Sequence, residues 1–439
     1  MQPRKKLIPI AVAIATVATS PGSFAAGLAI GTQSGSGTGN AFAGGAAAAE
    51  DASTVWFNPA GMTALPKGVQ LSVAAHLLNP SFKFTNTGST GAFAAPGASD
   101  GGDGGDWAAI PQAYIAASLG DKWRVGAGVN TPFGLKTQYD SGWRGQFVAL
   151  KSELKTYNLN VGAAYKINDM FSIGAGANYQ RLEVDFNSFA GPAGTAGIKA
   201  ADTAFGWNVG GLLQFTPATR MGISYRSAMN FQPTGTVTFS GAPAGNGNIT
   251  AGVTEPDSAS ISVFSNVAPQ WDVMADITWT GWSHLQSVPF VRTSLVPGAV
   301  VSTLTFNWKD TYRYSAGANF KMNERWKFRF GVAYDQSPTN DTDRTPRVPD
   351  QDRKWLAFGA QYMLSKGSSL DFGYAHEFIR TASINNGVAG VPGRLIGEMD
   401  NSVDIFSVQY NHQFCRSKVS AESRACARLF CVFGLKDAC

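Results

Sequence analysis

The sequence has few charged residues, few cysteines and few histidines. Only 15% of its 439 residues are charged, and its four cysteines all lie beyond residue 414. The body of the chain therefore has no thiol for a disulfide or a zinc site. Four histidines in the whole chain offer little for imidazole-based catalysis. We expect neither a metal nor another cofactor, and an enzyme is the least favoured class of protein.

Long apolar segments are also lacking, apart from one short stretch at the N-terminus. A membrane-spanning helix needs about 20 consecutive apolar residues, which excludes a helical membrane protein. Glycine, by contrast, occurs 50 times, and aromatic residues make up 12% of the chain. Many aromatic residues and a small net charge exclude a disordered chain. The composition favours an all-β protein, and in particular one whose strands alternate between lipid and water.

The net charge of +5 resides at the two ends of the chain. Arg4, Lys5 and Lys6 supply three positive charges, and residues 415–439 carry a net charge of +3. The region between them therefore has a net charge of −1. No basic surface for nucleic acid is expected there.

The N-terminus has the order of a secretory signal peptide. The basic group precedes an apolar stretch over residues 7–19, and small residues at 23 and 25 form a cleavage site. We predict a signal peptide over residues 1–25 and an exported mature protein. Residues 415–439 are predicted to be a cysteine-containing C-terminal extension of unknown role.

From residue 69 onward, apolar and small polar residues alternate with a period of two, as in strands with one apolar face. The pattern is clear over residues 157–165, 171–179, 271–279 and 326–334. Eight residues at a rise of ~3.4 Å and a tilt of ~40° span about 21 Å, close to the ~25 Å apolar band of outer-membrane barrels. Aromatic residues at both ends of the apolar face favour such a barrel over a soluble sandwich.

The connections between strands fall into two classes. Six are short, near residues 120, 167, 217, 268, 323 and 366. Seven long polar segments lie near 87–106, 131–152, 187–201, 232–254, 285–305, 338–352 and 382–400. Thirteen connections join fourteen strands, and short turns at one end are typical of a bacterial outer-membrane barrel. We predict an all-β fold, a 14-stranded antiparallel transmembrane β-barrel over residues 69–414 in the outer membrane of a Gram-negative cell.

The last predicted strand ends in an aromatic residue, as the last strand of an outer-membrane barrel usually does. Phe406, Val408, Tyr410, His412 and Phe414 alternate toward a terminal aromatic residue, which resembles an outer-membrane assembly signal. Outer-membrane lipid and the barrel assembly machinery are therefore expected partners.

Residues 26–68 precede the barrel and do not alternate. They are rich in Gly and Ala, and the Gly-rich run 35–40 follows no strand and has no lysine at Walker spacing. A compact small-residue segment ahead of a wide barrel is interpreted as an N-terminal hatch, a plug inside the lumen.

Two motifs stand out in the hatch. They are Gly37-Thr38-Gly39-Asn40-Ala41-Phe42-Ala43-Gly44 and Glu50-Asp51-Ala52-Ser53-Thr54-Val55-Trp56-Phe57-Asn58-Pro59-Ala60-Gly61-Met62. Together they resemble the hatch of the FadL/TodX family of outer-membrane transporters for long-chain fatty acids and aromatic hydrocarbons. Further motifs of the resemblance lie at 132–135, 279–283, 334–338 and 349–353.

The resemblance implies passive transport of a hydrophobic small molecule by a largely monomeric protein. Ligand would enter between extracellular loops and leave after the hatch rearranges, through a lateral opening at a kink in the third strand. Here that strand covers about 122–131, and the kink candidates are Gly126, Gly128 and Pro132. The hatch signature of the family matches Asn58, Pro59 and Ala60.

The resemblance also suggests substrate-binding residues. Fatty-acid members hold the carboxylate with an Arg and a Lys, at positions that here align by hand with Asp185 and Leu304. Arg181 and Lys309 lie close in sequence and could substitute. Without them the lumen would lack a counter-charge, which favours a neutral aromatic or alkane ligand. The remaining candidates, by lumenal parity or by motif, are Arg313, Lys327, Arg329 and Phe133.

Two other classes of function stay open on the sequence. A general water-filled porin is disfavoured by the hatch of about forty residues. An outer-membrane hydrolase would need one of the histidines at 76, 284, 376 and 412 as a base, and no serine or carboxylate signature accompanies them.

Overall fold

The computed structural model describes residues 27–414. The predicted signal peptide and the extension 415–439 lie outside the described residues. Among the described residues, no helix is long and apolar enough to cross a membrane.

Fourteen antiparallel strands form a closed barrel within residues 27–414, as the alternation predicted. Each strand pairs with the next, and the first pairs with the last, from Val69 opposite Phe414 to Asn86 opposite Gly397. The strands are β1 Val69–Asn86, β2 Ala108–Leu119, β3 Trp123–Asn130 with a second segment Gly134–Gln138, β4 Lys151–Lys166, β5 Phe171–Phe189, β6 Thr195–Gln214, β7 Thr219–Arg226, β8 Ser258–Ala268, β9 Trp271–Thr280, β10 Thr311–Lys321, β11 Trp326–Asp335, β12 Arg353–Ser365, β13 Ser368–Ile379 and β14 Leu395–Phe414.

Burial follows the predicted parity. Along β5, Ile173 and Tyr179 are exposed on the outer face, whereas Ser172 and Asn178 are buried toward the lumen. An exposed belt of large apolar side chains continues around the barrel, and Phe205 is 77% exposed. Such a surface is stable only against lipid, because no soluble protein leaves so many large apolar side chains in water.

The long connections carry additional short strands above the barrel. They are Met229–Phe231, Thr234–Phe239, Gly247–Thr250, Val253–Glu255, Ser287–Arg292, Val300–Thr305 and Ala382–Asn386. The segment 187–201 was expected to be a loop, but β5 and β6 extend through it and leave a turn of residues 190–194. Four short 3₁₀ helices lie in the same connections, at Gly91–Ala94, Gly191–Ala193, Pro243–Gly245 and Trp282–His284.

Residues 27–68 fill the lumen. They form α1 Gly35–Thr38, α2 Gly45–Ala48, α3 Thr54–Phe57 and a 3₁₀ helix Pro59–Ala64. Ser34 caps α1 by accepting a hydrogen bond from the backbone N of Gly37. We call residues 27–68 the hatch.

The hatch backbone packs directly against the barrel wall at positions where the wall has glycine. A Cβ on Gly222 would lie 1.9 Å from the carbonyl oxygen of Ala46, and one on Gly331 would lie 2.1 Å from the carbonyl carbon of Asn40. The other wall glycines that face the hatch are Gly126, Gly162, Gly174, Gly210, Gly317, Gly359 and Gly373. The small lumenal residues therefore form the surface against which the hatch packs.

Candidate functional site

A cavity of about 200 Å³ lies between the hatch and the upper wall of the barrel. Its aromatic and aliphatic lining comes from both the hatch and the barrel. Its polar lining includes Arg226, Arg313, Asp276 and Asp335. The apolar side chains are Ile30, Phe42, Trp56, Phe57, Phe133, Trp282 and Trp355. A concave, mostly apolar space with a few charged groups is the usual form of a small-molecule site.

The third strand is interrupted beside this cavity. β3 stops at Asn130 and resumes at Gly134, and Pro132 lies in the interruption, where it cannot donate a ladder hydrogen bond. The hatch supplies the missing partner, since the N of Ile30 donates to the O of Pro132 at 2.7 Å and the N of Gly134 donates to the O of Leu28 at 2.9 Å.

The interruption separates two wall strands. Pairing of β2 with β3 begins at Ala113 opposite Val129, so within the described chain residues 108–112 pair with β1 alone. Since Pro132 and Phe133 also line the cavity, the separation lies next to it.

The glycines predicted to form the kink have another role. Gly126 and Gly128 lie in the regular part of β3, paired with Ala116 and Tyr114 of β2. A Cβ on Gly126 would lie 2.4 Å from a side-chain atom of Val55 in the hatch, and one on Gly128 would strike the ring of Tyr114. Of the three kink candidates, only Pro132 lies at the interruption.

Arg226 is the most unusual charged group of the cavity. Its Nη1 donates to the side-chain oxygen of Asn178 at 2.7 Å, and its Nη2 donates to the carbonyl of Trp56 at 2.7 Å. The guanidinium carbon lies 3.4 Å from the centroid of a Trp56 ring. Both acceptors are neutral, and no carboxylate of residues 27–414 forms an ion pair with Arg226. This cation therefore lacks a counter-charge.

Arg313, by contrast, has partners on both the hatch and the wall. Its Nη2 donates to the carbonyl of Ala41 at 2.6 Å, and its Nε lies 3.9 Å from a carboxylate oxygen of Asp335. Its guanidinium also faces the ring of Trp355. The parity prediction that Arg313 faces the lumen is correct, and its charge is compensated.

Lys327 and Arg329 also face the lumen, but they hold the hatch. Glu50 accepts from Arg329 Nη1 at 2.6 Å and lies 3.4 Å from the Lys327 Nζ, while Arg329 Nη2 bonds Asp371 at 2.8 Å. Burial raises the pKa of Glu50, but Arg329 and Lys327 outweigh it and hold that pKa well below its ordinary value. The hatch is therefore anchored by an ionised carboxylate.

The two family-derived candidates lie away from the lumen. Arg181 is on the outer face of β5, where its Nε donates to Glu183 at 2.6 Å. Lys309 is exposed in the connection before β10. Residues of odd number on β5 face outward and Lys309 precedes β10, so neither of these two substitutes for the aligned positions 185 and 304 lines the cavity. Phe133 does line the cavity, with its ring perpendicular to that of Trp282 and the centroids 6.1 Å apart.

Asn58 links the hatch signature to the wall. Its side-chain amide donates to the carbonyls of Ala46 at 2.7 Å and Gly211 at 3.0 Å, and its Oδ1 accepts from the N of Ala60. Pro59 opens the 3₁₀ helix that follows, where its missing N–H costs nothing. The Asn58-Pro59-Ala60 motif thus fixes a turn of the hatch on β6.

The sequence reasoning missed Arg226. The alternation that placed Arg313 applies equally to β7. There Gly222, Ser224 and Arg226 face the lumen and alternate with Ile223 and Tyr225. The alternation therefore indicated Arg226, but this residue is the last of a short strand and is followed by a long connection, so the end of the strand was not recognised.

Glu255 is a buried carboxyl group near the cavity. Its Oε2 accepts from Gln180 at 2.5 Å, while its Oε1 has no partner among the described residues. Burial raises the pKa of Glu255 to about 8, and the hydrogen bond from Gln180 opposes this only in part. The neighbouring Pro256 lines the cavity.

We expect the stability of the protein to fall as the pH rises through neutrality. A carboxyl whose pKa is raised by folding contributes its full stabilisation below the pKa that it has in the unfolded chain. As the pH rises from that value to the pKa in the folded protein, the contribution is lost at about 1.4 kcal/mol per pH unit. Thermal unfolding from acidic to alkaline pH should show this decline, and Glu255→Gln should make it shallower. Glu324→Gln, at an exposed turn, is the control, and an unchanged pH profile in Glu255→Gln would contradict the assignment.

Comparisons with known proteins agree with this architecture. The family model described as "Outer membrane protein transport protein (OMPP1/FadL/TodX)" matches residues 14–414. The long-chain fatty acid transport protein of Salmonella typhi is 28% identical over 445 residues, which covers 92% of this chain and 98% of that protein.

Solved structures show the same fold. A Pseudomonas aeruginosa FadL homologue has a TM-score of 0.82 at 23% identity, covering 89% of this chain and all of that one. The toluene transporter TodX of Pseudomonas putida has a TM-score of 0.65 at 18% identity, covering 87% of this chain and 98% of that one.

Proposed function

Because the chain belongs to the OMPP1/FadL/TodX family of outer membrane transport proteins, we propose that its ligands are long-chain molecules with a terminal carboxylate, such as fatty acids. The protein lies in the outer membrane of a Gram-negative cell and is a channel for hydrophobic compounds. Its fourteen strands close within one chain, so that we infer a monomer as the working unit.

The partly buried guanidinium of Arg226, which has no carboxylate partner among residues 27–414, carries this proposal. A cation without an anionic partner is costly in an apolar site, and a bound carboxylate would relieve that cost with two parallel hydrogen bonds. The aromatic rings around the cavity would hold the alkyl chain. A neutral hydrocarbon would use the same rings but would leave Arg226 uncompensated.

The interrupted β3 supports a lateral exit for the alkyl chain. The cavity reaches Pro132 and Phe133, and the separated strands β2 and β3 lie beyond them. Hatch residues 28–30 hold the interruption through two hydrogen bonds, which together form the antiparallel bridge between Ala29 and Phe133. Movement of these hatch residues would therefore widen the opening toward lipid without opening an aqueous pore.

Ligand titration tests the proposal. A long-chain fatty acid, the alcohol of the same length and toluene are added separately to the purified protein, with fluorescence of the cavity tryptophans Trp56, Trp282 and Trp355 as the signal. We expect Arg226→Met to weaken fatty-acid binding by about 10- to 100-fold, the range of a charged hydrogen bond, and to leave alcohol binding unchanged.

Arg181→Met is the matched control, because it removes a guanidinium from the outer face of β5, outside the cavity. Equal fatty-acid affinities of the Arg226→Met and Arg181→Met variants would overturn the carboxylate site. Tight toluene binding that survives Arg226→Met would favour a neutral ligand instead.

A further inference from the structure

The hatch contains a second cavity of about 50 Å³, distinct in chemistry from the ligand cavity. Half of the residues that line it are polar or charged, and Glu50 and Arg329 are among them. The remaining polar lining is Ser34, Ser36, Asn40, Asp51, Ser53 and Thr54. We call this space the polar cavity.

Three residues line both cavities, namely Phe42, Gly45 and Phe57. The rings of Phe42 and Phe57 have centroids 6.3 Å apart, and Phe42 also packs edge-on against Trp355. Gly45 contributes no side chain between them. The partition between the two cavities therefore consists largely of two phenyl rings.

Each ring rests against a glycine of the hatch. A Cβ on Gly37 would lie 2.7 Å from the ring of Phe42, and one on Gly45 would lie 3.3 Å from the ring of Phe57. Phe42 itself has a φ of 55°, a left-handed conformation that strains a residue with a bulky side chain. Backbone strain is thus located at the partition.

We propose that Phe42 and Phe57 form a gate to a second, axial route, through which water and small ions pass when the rings separate. The charged groups Glu50 and Arg329 suit the passage of hydrated ions and disfavour an alkyl chain, which gains nothing from charged groups. Two apolar rings between water-accessible spaces close such a route by excluding water from the constriction. This axial route does not depend on which ligand occupies the ligand cavity.

The gate can be tested by ion conductance of the purified protein in planar lipid bilayers. Removing a ring should join the two cavities, so Phe42→Gly is expected to raise single-channel conductance above that of the unaltered protein, because a hydrophobic constriction that excludes water is lost. Ala41→Gly is the matched control, because Ala41 also has a positive φ, of 47°. It relieves backbone strain and keeps both rings.

A second variant keeps the test independent of the strained backbone. Phe57→Ala removes the other ring at a residue with a helical backbone, and it should also raise conductance. Adding Glu50→Gln to either variant should shift the ion selectivity toward anions, since a negative group is lost from the path. To check folding, the resistance to unfolding in detergent is measured for each variant and compared with that of the unaltered protein.

Conductance of both ring variants at the level of Ala41→Gly would overturn the gate. Raised conductance with unaltered selectivity in the Glu50→Gln variants would also overturn it, because the current would then bypass the polar cavity. Neither result bears on fatty-acid binding by Arg226.

Discussion

Gly222→Ala is expected to displace the hatch from the barrel wall and to lower the stability of the protein. The added Cβ would lie 1.9 Å from the carbonyl oxygen of Ala46 and 2.4 Å from its carbonyl carbon. Those atoms belong to the hatch backbone, which cannot rotate away as a flexible side chain could. Overpacking of a fitted interior typically costs 1–3 kcal/mol, so about 3 kcal/mol or more is expected here.

The matched control is Gly211→Ala on the adjacent β6. A Cβ there faces outward and meets nothing closer than 3.4 Å, a side-chain atom of Ile223. Thermal unfolding and protease cleavage within the hatch are measured for both variants. Gly222→Ala should unfold at lower temperature and expose the hatch to cleavage, whereas equal behaviour of the two variants would contradict direct packing of the hatch on the wall.

Arg329→Met should also weaken the hold on the hatch. Arg329 bonds Glu50 of the hatch at 2.6 Å and Asp371 of β13 at 2.8 Å, and its side chain is 2% exposed. Methionine keeps much of the volume but leaves two carboxylates in a buried site. Removing one partner of a buried ion pair costs about 3–5 kcal/mol.

A double-mutant cycle separates the ion pair from the loss of packing. Unfolding in denaturant is measured for Glu50→Gln, Arg329→Met and the double variant. The double variant should be less destabilised than the sum of the single variants, because the neutral amide at position 50 no longer needs a cation. Arg325→Met, at an exposed turn residue, controls for the loss of an arginine, and strictly additive effects would exclude the Glu50–Arg329 pair as an anchor.

The sequence was sufficient for the barrel itself. Alternation with a period of two places each residue inside or outside, and that parity correctly located Arg313, Lys327 and Arg329 in the lumen. The count of six short and seven long connections correctly predicted fourteen strands. Both inferences depend on local patterns, since a strand in lipid must present apolar side chains to one face along its whole length.

The sequence alone could not identify the counter-charges of the lumenal arginines. Arg329 and Arg226 have the same chemistry and both face the lumen, but one meets Glu50 and the other meets only neutral oxygens. The partners of Arg329 are separated from it by 279 and 42 positions. No local pattern encodes such a pairing.

The sequence by itself determined the class of the protein, because lipid imposes the same rule on every strand of a barrel. The tertiary structure alone decided where the hatch rests, which wall glycines it needs and which cation is left for a ligand. Those features arise from contacts between the hatch and distant strands, and their geometry exists only once the barrel has closed around the hatch.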